Sequence, residues 1–436
     1  QERPESDAFR SHNAVYPLFY GFYTGRKLFY VSVAGFICLF FRNFVGNQYQ
    51  IAEYQFFYII NQLFIMNTLS RLLFSILAVG ALASCGGSGA KSTENDSTAV
   101  ADDSLTFATA EVRDLALIYQ GGAHRIDWTK DQFMPYVTHK FADGSEDWLF
   151  DGYLFLEFKD GKGYTLSPGY DKLFARRTEW EWYLDRIFEP GKSLDALDQA
   201  ITEKKEQLGD PGFRHKIVLT VIVAHKDQKD WGELDGKQLD FSNVEDQKAA
   251  TKWFIDQLTD RFAKAGYKNL DLYGLYWIDE DMVHTNDFPK QIKEYISDKG
   301  LKFVWIPYWN APGHERWQEL GFDIAYQQPN YFFHDDIPYE RLDNAIDTAL
   351  TYGMGMEFEC DVRAMTQNDP NWQYRMKDYI DAFEKRGVFE NSAIAYYTDN
   401  HLFLDMVENP SPENQAIMDR LARFIVDRRS NPKLTK

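Results

Sequence analysis

A (β/α)8 TIM barrel is the fold this sequence predicts, and three observations carry that expectation. Eight short apolar runs rich in Val, Ile, Leu and aromatics recur from residue 114 onward. Longer charged segments of helical period separate them. Most of the runs are apolar on both faces, as strands of a parallel sheet covered by helices must be. An open doubly wound sheet is the alternative, but no G-x-G-x-x-G fingerprint follows any run.

In chain order the expected strands are "LALIYQ" (115–120), "GYLFLEF" (152–158), "KIVLTVIVA" (216–224), "LDLYGLYWI" (270–278), "KFVWIPY" (302–308), "FDIAYQQ" (322–328), "GMEFEC" (355–360) and "SAIAYYT" (392–398). Between them, residues 246–266, 338–353 and 371–387 each carry an amphipathic stripe and end on glycine, a helix stop signal.

The chain before the barrel reads differently. Residues 1–65 are crowded with Phe, Tyr, Ile and Asn without a sustained period, and their longest apolar run, about 13 residues, is short of the roughly 20 that span a bilayer. From Met66, "MNTLSRLLFSILAVGALASC" has a short basic start, an apolar stretch and small residues before Cys85. This is secretory-signal architecture with a lipobox-like end. The expected organisation is upstream sequence foreign to the native protein at 1–65, a lipoprotein signal at 66–84, a lipidated Cys85 with a flexible tether at 85–104, and the barrel at 105–436. The expected location is outside the cytoplasm, lipid-anchored to a bacterial outer membrane, on its periplasmic face or at the cell surface.

Of three cysteines, Cys38 lies in the leader and Cys85 in the lipobox, which leaves Cys360 without an intrachain disulfide partner. The formal charge is −19, with 66 acidic against 47 basic residues, so nucleic acid is not an expected partner. The aromatic content of 16%, with 11 Trp, suits both sugar stacking and a large core.

Barrel chemistry gathers at the C-terminal ends of the strands. The fourth run ends in Asp279, Glu280 and Asp281, and the seventh alternates Met356, Phe358 and Cys360 with Glu357, Glu359 and Asp361. Burying charge against a helix layer costs several kcal/mol, so Glu357 and Glu359 are expected to face the barrel interior. A carboxylate pair on strands four and seven fits glycoside hydrolysis, one acid protonating the leaving oxygen and one carboxylate attacking or activating water. The catalytic candidates are Glu280 as acid/base and Glu359, then Glu357, as nucleophile.

Glu157, His225, Asp279, Trp309, Asn310, Gln328, Asn330, Tyr397 and Asp399 are candidates for gripping a sugar, with Gln327 and Asn400 beside them. A divalent metal held by Asp279, Asp281, His284 and His225 is a competing idea without a recognised ligand spacing, so no metal and no cofactor is expected. G-x-S-x-G and P-loop motifs are absent.

"GLYWIDED" (274–281), "FVWIPYWNAPGHERWQELGFDIAYQQPNYFF" (303–333) and "GMEFECD" (355–361) together resemble the secreted bacterial family known as domain of unknown function 4855, common in gut Bacteroidetes. The likeness runs from about residue 112 to 408. It implies a glycoside-hydrolase-like barrel and no particular activity. The placement of the carboxylates also resembles the large retaining glycosidase clan, whose acid/base Glu usually follows Asn, where this chain has Asp279. The function expected is a lipid-anchored glycoside hydrolase, retaining in mechanism, acting on a polysaccharide or glycan. The rivals are a non-catalytic surface glycan-binding lipoprotein and a metal-dependent hydrolase or deacetylase.

Overall fold

The computed structural model describes residues 105–434, so the expectations for residues 1–104, including Cys85, lie outside the described residues. Eight parallel strands close into a barrel: β1 (Asp114–Tyr119), β2 (Gly152–Leu156), β3 (His215–Val221), β4 (Leu270–Trp277), β5 (Lys302–Trp305), β6 (Ile324–Gln327), β7 (Gly355–Glu359) and β8 (Ile394–Tyr397). Each pairs with its neighbour in sequence, and β8 meets β1 with Asp114 opposite Ile394. The eight apolar runs in the sequence each overlap one of these strands, with β1 and β3 beginning one residue earlier than their runs.

The residues suit a sheet covered on both faces. The side chains of β1, β2 and β7 are buried throughout, which an open sheet with a solvent face would not allow. On β7, Phe358 turns outward and packs at 5.2 Å from Tyr379 and 5.9 Å from Phe383, so the alternating Glu357 and Glu359 turn inward. Gly355 permits the tight β6–β7–β8 junction, because a Cβ there would lie 2.8 Å from both the Ala393 carbonyl and the Tyr326 ring.

Ten α-helices surround the sheet among the described residues: α1 (Lys130–Val137), α2 (Arg177–Ile187), α3 (Ser193–Leu208), α4 (Val244–Ala265), α5 (Phe288–Asp298), α6 (Glu340–Tyr352), α7 (Gln373–Lys385), α8 (Val388–Asn391), α9 (Leu402–Glu408) and α10 (Pro412–Arg428). Asn243 caps α4 by accepting from the Glu245 N–H, and Gly266 ends it in the left-handed region, as Gly353 ends α6. The fifth unit departs from the regular pattern. Between β5 and β6 the chain makes only a 3-10 turn, His314–Arg316, in a segment broken by Pro312, Gly313 and Gly321.

At the N-terminal end of the strands, α10 is clasped to the first strand. Arg428 Nη1 donates to Asp114 Oδ1 at 2.8 Å, and the Tyr396 hydroxyl donates to the same oxygen at 2.7 Å. Arg428 also donates to the Ser392 carbonyl. Burial pushes Asp114 up to about 6 while the guanidinium pulls it down. Replacing one partner of such a buried pair leaves the other uncompensated. Arg428→Ala is therefore expected to cost about 3–5 kcal/mol, read as a lowered urea midpoint with an unchanged slope.

Candidate active site

At the opposite, C-terminal end of the strands lies a cavity of about 320 Å³, within the range of small-molecule sites. Its wall includes Glu280, Glu357 and Glu359, with Tyr119, Phe158, Tyr170, Tyr276, Phe333 and Tyr397 as aromatic faces. Glu357 and Glu359 are each 2% exposed, whereas Glu280 is partly open to solvent.

The three carboxylates differ in the donors they receive. Glu359 Oε2 accepts the Asn330 backbone N–H at 2.6 Å and the Tyr379 hydroxyl, and Oε1 accepts Asn330 Nδ2 at 3.2 Å. Burial raises Glu359, these donors pull it back, and the net result is about 7. Glu280 accepts Gln328 Nε2 at 2.6 Å and the Tyr170 hydroxyl at 2.7 Å, yet burial still lifts it above the ordinary carboxylate range. Glu357 accepts no hydrogen bond among the described residues. Burial raises it well above that range, and the neighbouring Glu359 and Glu280 raise it further.

A side-chain relay from just beyond β6 joins the two outer carboxylates. Gln328 holds Glu280, Asn330 Nδ2 donates to Gln328 Oε1 at 2.9 Å, and Asn330 holds Glu359. Asn330 takes a positive φ of 49°, which asparagine tolerates well, and its Oδ1 accepts the Trp309 N–H at 2.7 Å. Each of its polar side-chain atoms is thus engaged in fixing the geometry.

The remaining candidates divide. Tyr397 lines the cavity, edge-on to Tyr119 at 5.7 Å and to Phe333 at 5.6 Å. Glu157 also lines it, but both of its oxygens are taken: Arg125 Nε donates to Oε2 at 2.7 Å and Arg125 Nη2 to Oε1 at 3.3 Å. Glu157 therefore positions Arg125, which lies over the Tyr119 ring at 4.3 Å and donates to Asn400. Gly122 lets the β1 loop pass this carboxylate, since a Cβ there would come within 2.7 Å of Glu157 Oε2.

The other candidates lie off the cavity wall. His225 is stacked on Phe174 at 3.8 Å, and burial lowers it to about 4. Trp309 lies beneath the Arg341 guanidinium, and Asn310 is an exposed turn residue with a φ of 57°. Asp399 accepts from Asn400 Nδ2 at 3.2 Å, and Gln327 bonds to nearby backbone carbonyls. Asp279, just beyond β4, is absent from the cavity wall, and its backbone carbonyl accepts Trp305 Nε1 at 2.7 Å. Among the described residues, no group of three or more His, Cys, Asp and Glu side chains is placed to hold a metal ion. In the set weighed for a metal, Asp281 is bonded to Tyr308 and the Val283 N–H.

Arg125, Lys159, Tyr170 and Tyr379 shape the cavity without having been singled out in the sequence. Arg125 and Lys159 follow the ends of β1 and β2, so strand-end position alone could have found them. Tyr170 comes from an irregular loop and Tyr379 from the buried stripe of α7, where nothing local marks them.

The family model described as Domain of unknown function (DUF4855) matches residues 114–423, from the first residue of β1 into α10. Among solved structures, the chain is similar to a mutant tryptophan synthase alpha-subunit from the hyperthermophile Pyrococcus furiosus. The identity is 11% and the TM-score 0.35, over 74% of this chain and 100% of that chain. It is also similar to the aminoacrylate-bound form of tryptophan synthase from M. tuberculosis, at 10% identity and a TM-score of 0.33, over 72% of this chain and 94% of that chain. No curated protein matches the chain. The barrel assignment stands on the strand order itself.

Asp279 gives a test of the local electrostatics. Burial, then Asp281, raises it from 3.8 to about 8, and its Oδ2 has no hydrogen-bond partner. Between those two values the unfolded chain has lost this proton and the folded chain retains it, so the group costs stability as pH rises. Asp279→Asn is expected to be more stabilising at pH 7 than at pH 5, by about 1–3 kcal/mol in urea unfolding.

Proposed function

The chain belongs to the family of the domain of unknown function DUF4855, and from its cavity we propose a glycoside hydrolase acting on a polysaccharide or glycan. The observation that carries this reading is the pairing of Glu280 beyond β4 with Glu359 on β7 in one aromatic-walled cavity, bridged by Gln328 and Asn330. The proposed setting is outside the cytoplasm, with the barrel tethered to a membrane through lipidated Cys85.

The donors divide the roles. Three hydrogen bonds to Glu359 favour its anion, which suits a nucleophile in a retaining reaction. Glu280, lifted by burial and partly open to the cavity, suits the acid that protonates the leaving oxygen and then serves as base toward water. Aromatic faces stack on the apolar side of a pyranose, and Gln328 and Asn330 hold the two carboxylates in a fixed relation.

One observation favours the glycan-binding rival. Both oxygens of Glu280 already receive one donor each, the arrangement of a carboxylate held in place to grip a sugar hydroxyl with its remaining lone pairs. Reducing-sugar release from a polysaccharide panel separates the two readings. Glu280→Gln and Glu359→Gln are each expected to lower turnover by about 10²–10⁴-fold without loss of folding. Binding without release, unchanged in Glu280→Gln, would select the rival, and loss of activity with a chelator would select a metal-dependent hydrolase.

The pH profile tests the assignment of Glu359. Because this carboxylate must be ionised to attack, kcat/KM is expected to rise through about pH 7. Asn330→Gly removes a donor to the anion and so is expected to move that acidic limb to higher pH. An unmoved limb would count against Glu359 as nucleophile.

A further inference from the structure

The two-carboxylate mechanism leaves Glu357 unused. It lines the cavity at 2% exposure, and among the described residues it has neither a hydrogen-bond partner nor an ion pair. A buried polar group in this condition is costly unless something completes it. The protein's own cations do not complete it. Arg125 is committed to Glu157 and Asn400, and Lys159, the other cation of the wall, makes no ion pair with Glu357.

We infer that this cavity binds a cationic amino sugar whose ammonium group pairs with Glu357. The inference rests on the reading of the cavity as a glycan site and adds the class of sugar. Three carboxylates face a space walled by Tyr119, Tyr276, Phe333 and Tyr397. Aromatic faces and buried carboxylates together attract an ammonium group, the rings through their quadrupoles and the carboxylates through charge-assisted hydrogen bonds. The overall charge of −19 adds a field that draws a cationic ligand and repels an anionic one. A neutral sugar would leave the Glu357 carboxyl without an ionic partner.

The test uses calorimetric binding of glucosamine, glucose and N-acetylglucosamine to the full chain carrying Glu280→Gln, which slows turnover. Glucosamine is expected to bind at least about tenfold more tightly than either neutral sugar. Adding Glu357→Gln is expected to bring the three within about twofold, and thermal unfolding checks that the fold is retained. Glu357→Leu repeats the comparison with a side chain that cannot hydrogen-bond. Equal binding of the three sugars, no glucosamine binding, or a preference that survives both substitutions at Glu357 would overturn the ammonium site. Release from neutral glycans without glucosamine binding would overturn it while leaving the hydrolase reading standing. Glucosamine binding with no release from any polymer would support the site and remove the hydrolase.

Discussion

Burial of three carboxylates in one cavity is the constraint on which the site depends. Like charges in a poorly solvated space cannot all be ionised, and the protein gives them unequal support. Glu359 receives three donors, Glu280 two and Glu357 none. Burial raises all three, the donors oppose that rise at Glu359 and Glu280, and the neighbouring carboxylates add to it at Glu357. Unequal environments of this kind separate an acid from a base among chemically identical groups.

The barrel makes that inequality structural. Strand alternation turns Glu357 and Glu359 inward together at successive depths, while Phe358 between them anchors the strand against α7. The donors come from elsewhere: Gln328 and Asn330 from the end of β6, Tyr379 from α7 and Tyr170 from the β2–α2 loop. The two ends of the barrel divide the work. At the N-terminal end Asp114 pairs with Arg428 and Tyr396, although Arg428 Nε is left without a partner, whereas at the C-terminal end Glu357 has no hydrogen-bond partner among the described residues. A paired network at the first end serves stability, and an unpaired carboxylate at the second is open to a ligand.

Much of this was legible in the sequence, for a physical reason. Period-two alternation places Glu357 and Glu359 inward without knowledge of the fold, and a strand running into Asp279, Glu280 and Asp281 marks a barrel mouth. Strand-end position is a coarser guide, because neighbouring residues there face opposite ways. It drew in Gln328, Asn330 and Tyr397, which line the cavity, and it equally drew in His225, Asn310 and Asp399, which lie off it. Tyr170 and Tyr379 reach the carboxylates across 110 and 20 residues of chain, contacts that only the tertiary fold creates. The missing helix between β5 and β6 was foreshadowed by its proline and glycines, which interrupt helical period.

Asp279 shows why formal charge is a poor guide to a buried position. It stands where the retaining clan that the carboxylate placement resembles usually has asparagine, and on paper it substitutes an anion for an amide. Burial and the adjacent Asp281 raise it to about 8, so near neutrality it carries a proton. A protonated carboxyl and an amide have nearly the same shape, and each offers one oxygen acceptor and at least one donor. The unpartnered Oδ2 of Asp279 is the atom that would bear that donor. The departure from the clan is therefore smaller in charge than in name, and the neighbouring Asp281 is held by Tyr308 and the Val283 N–H outside the cavity.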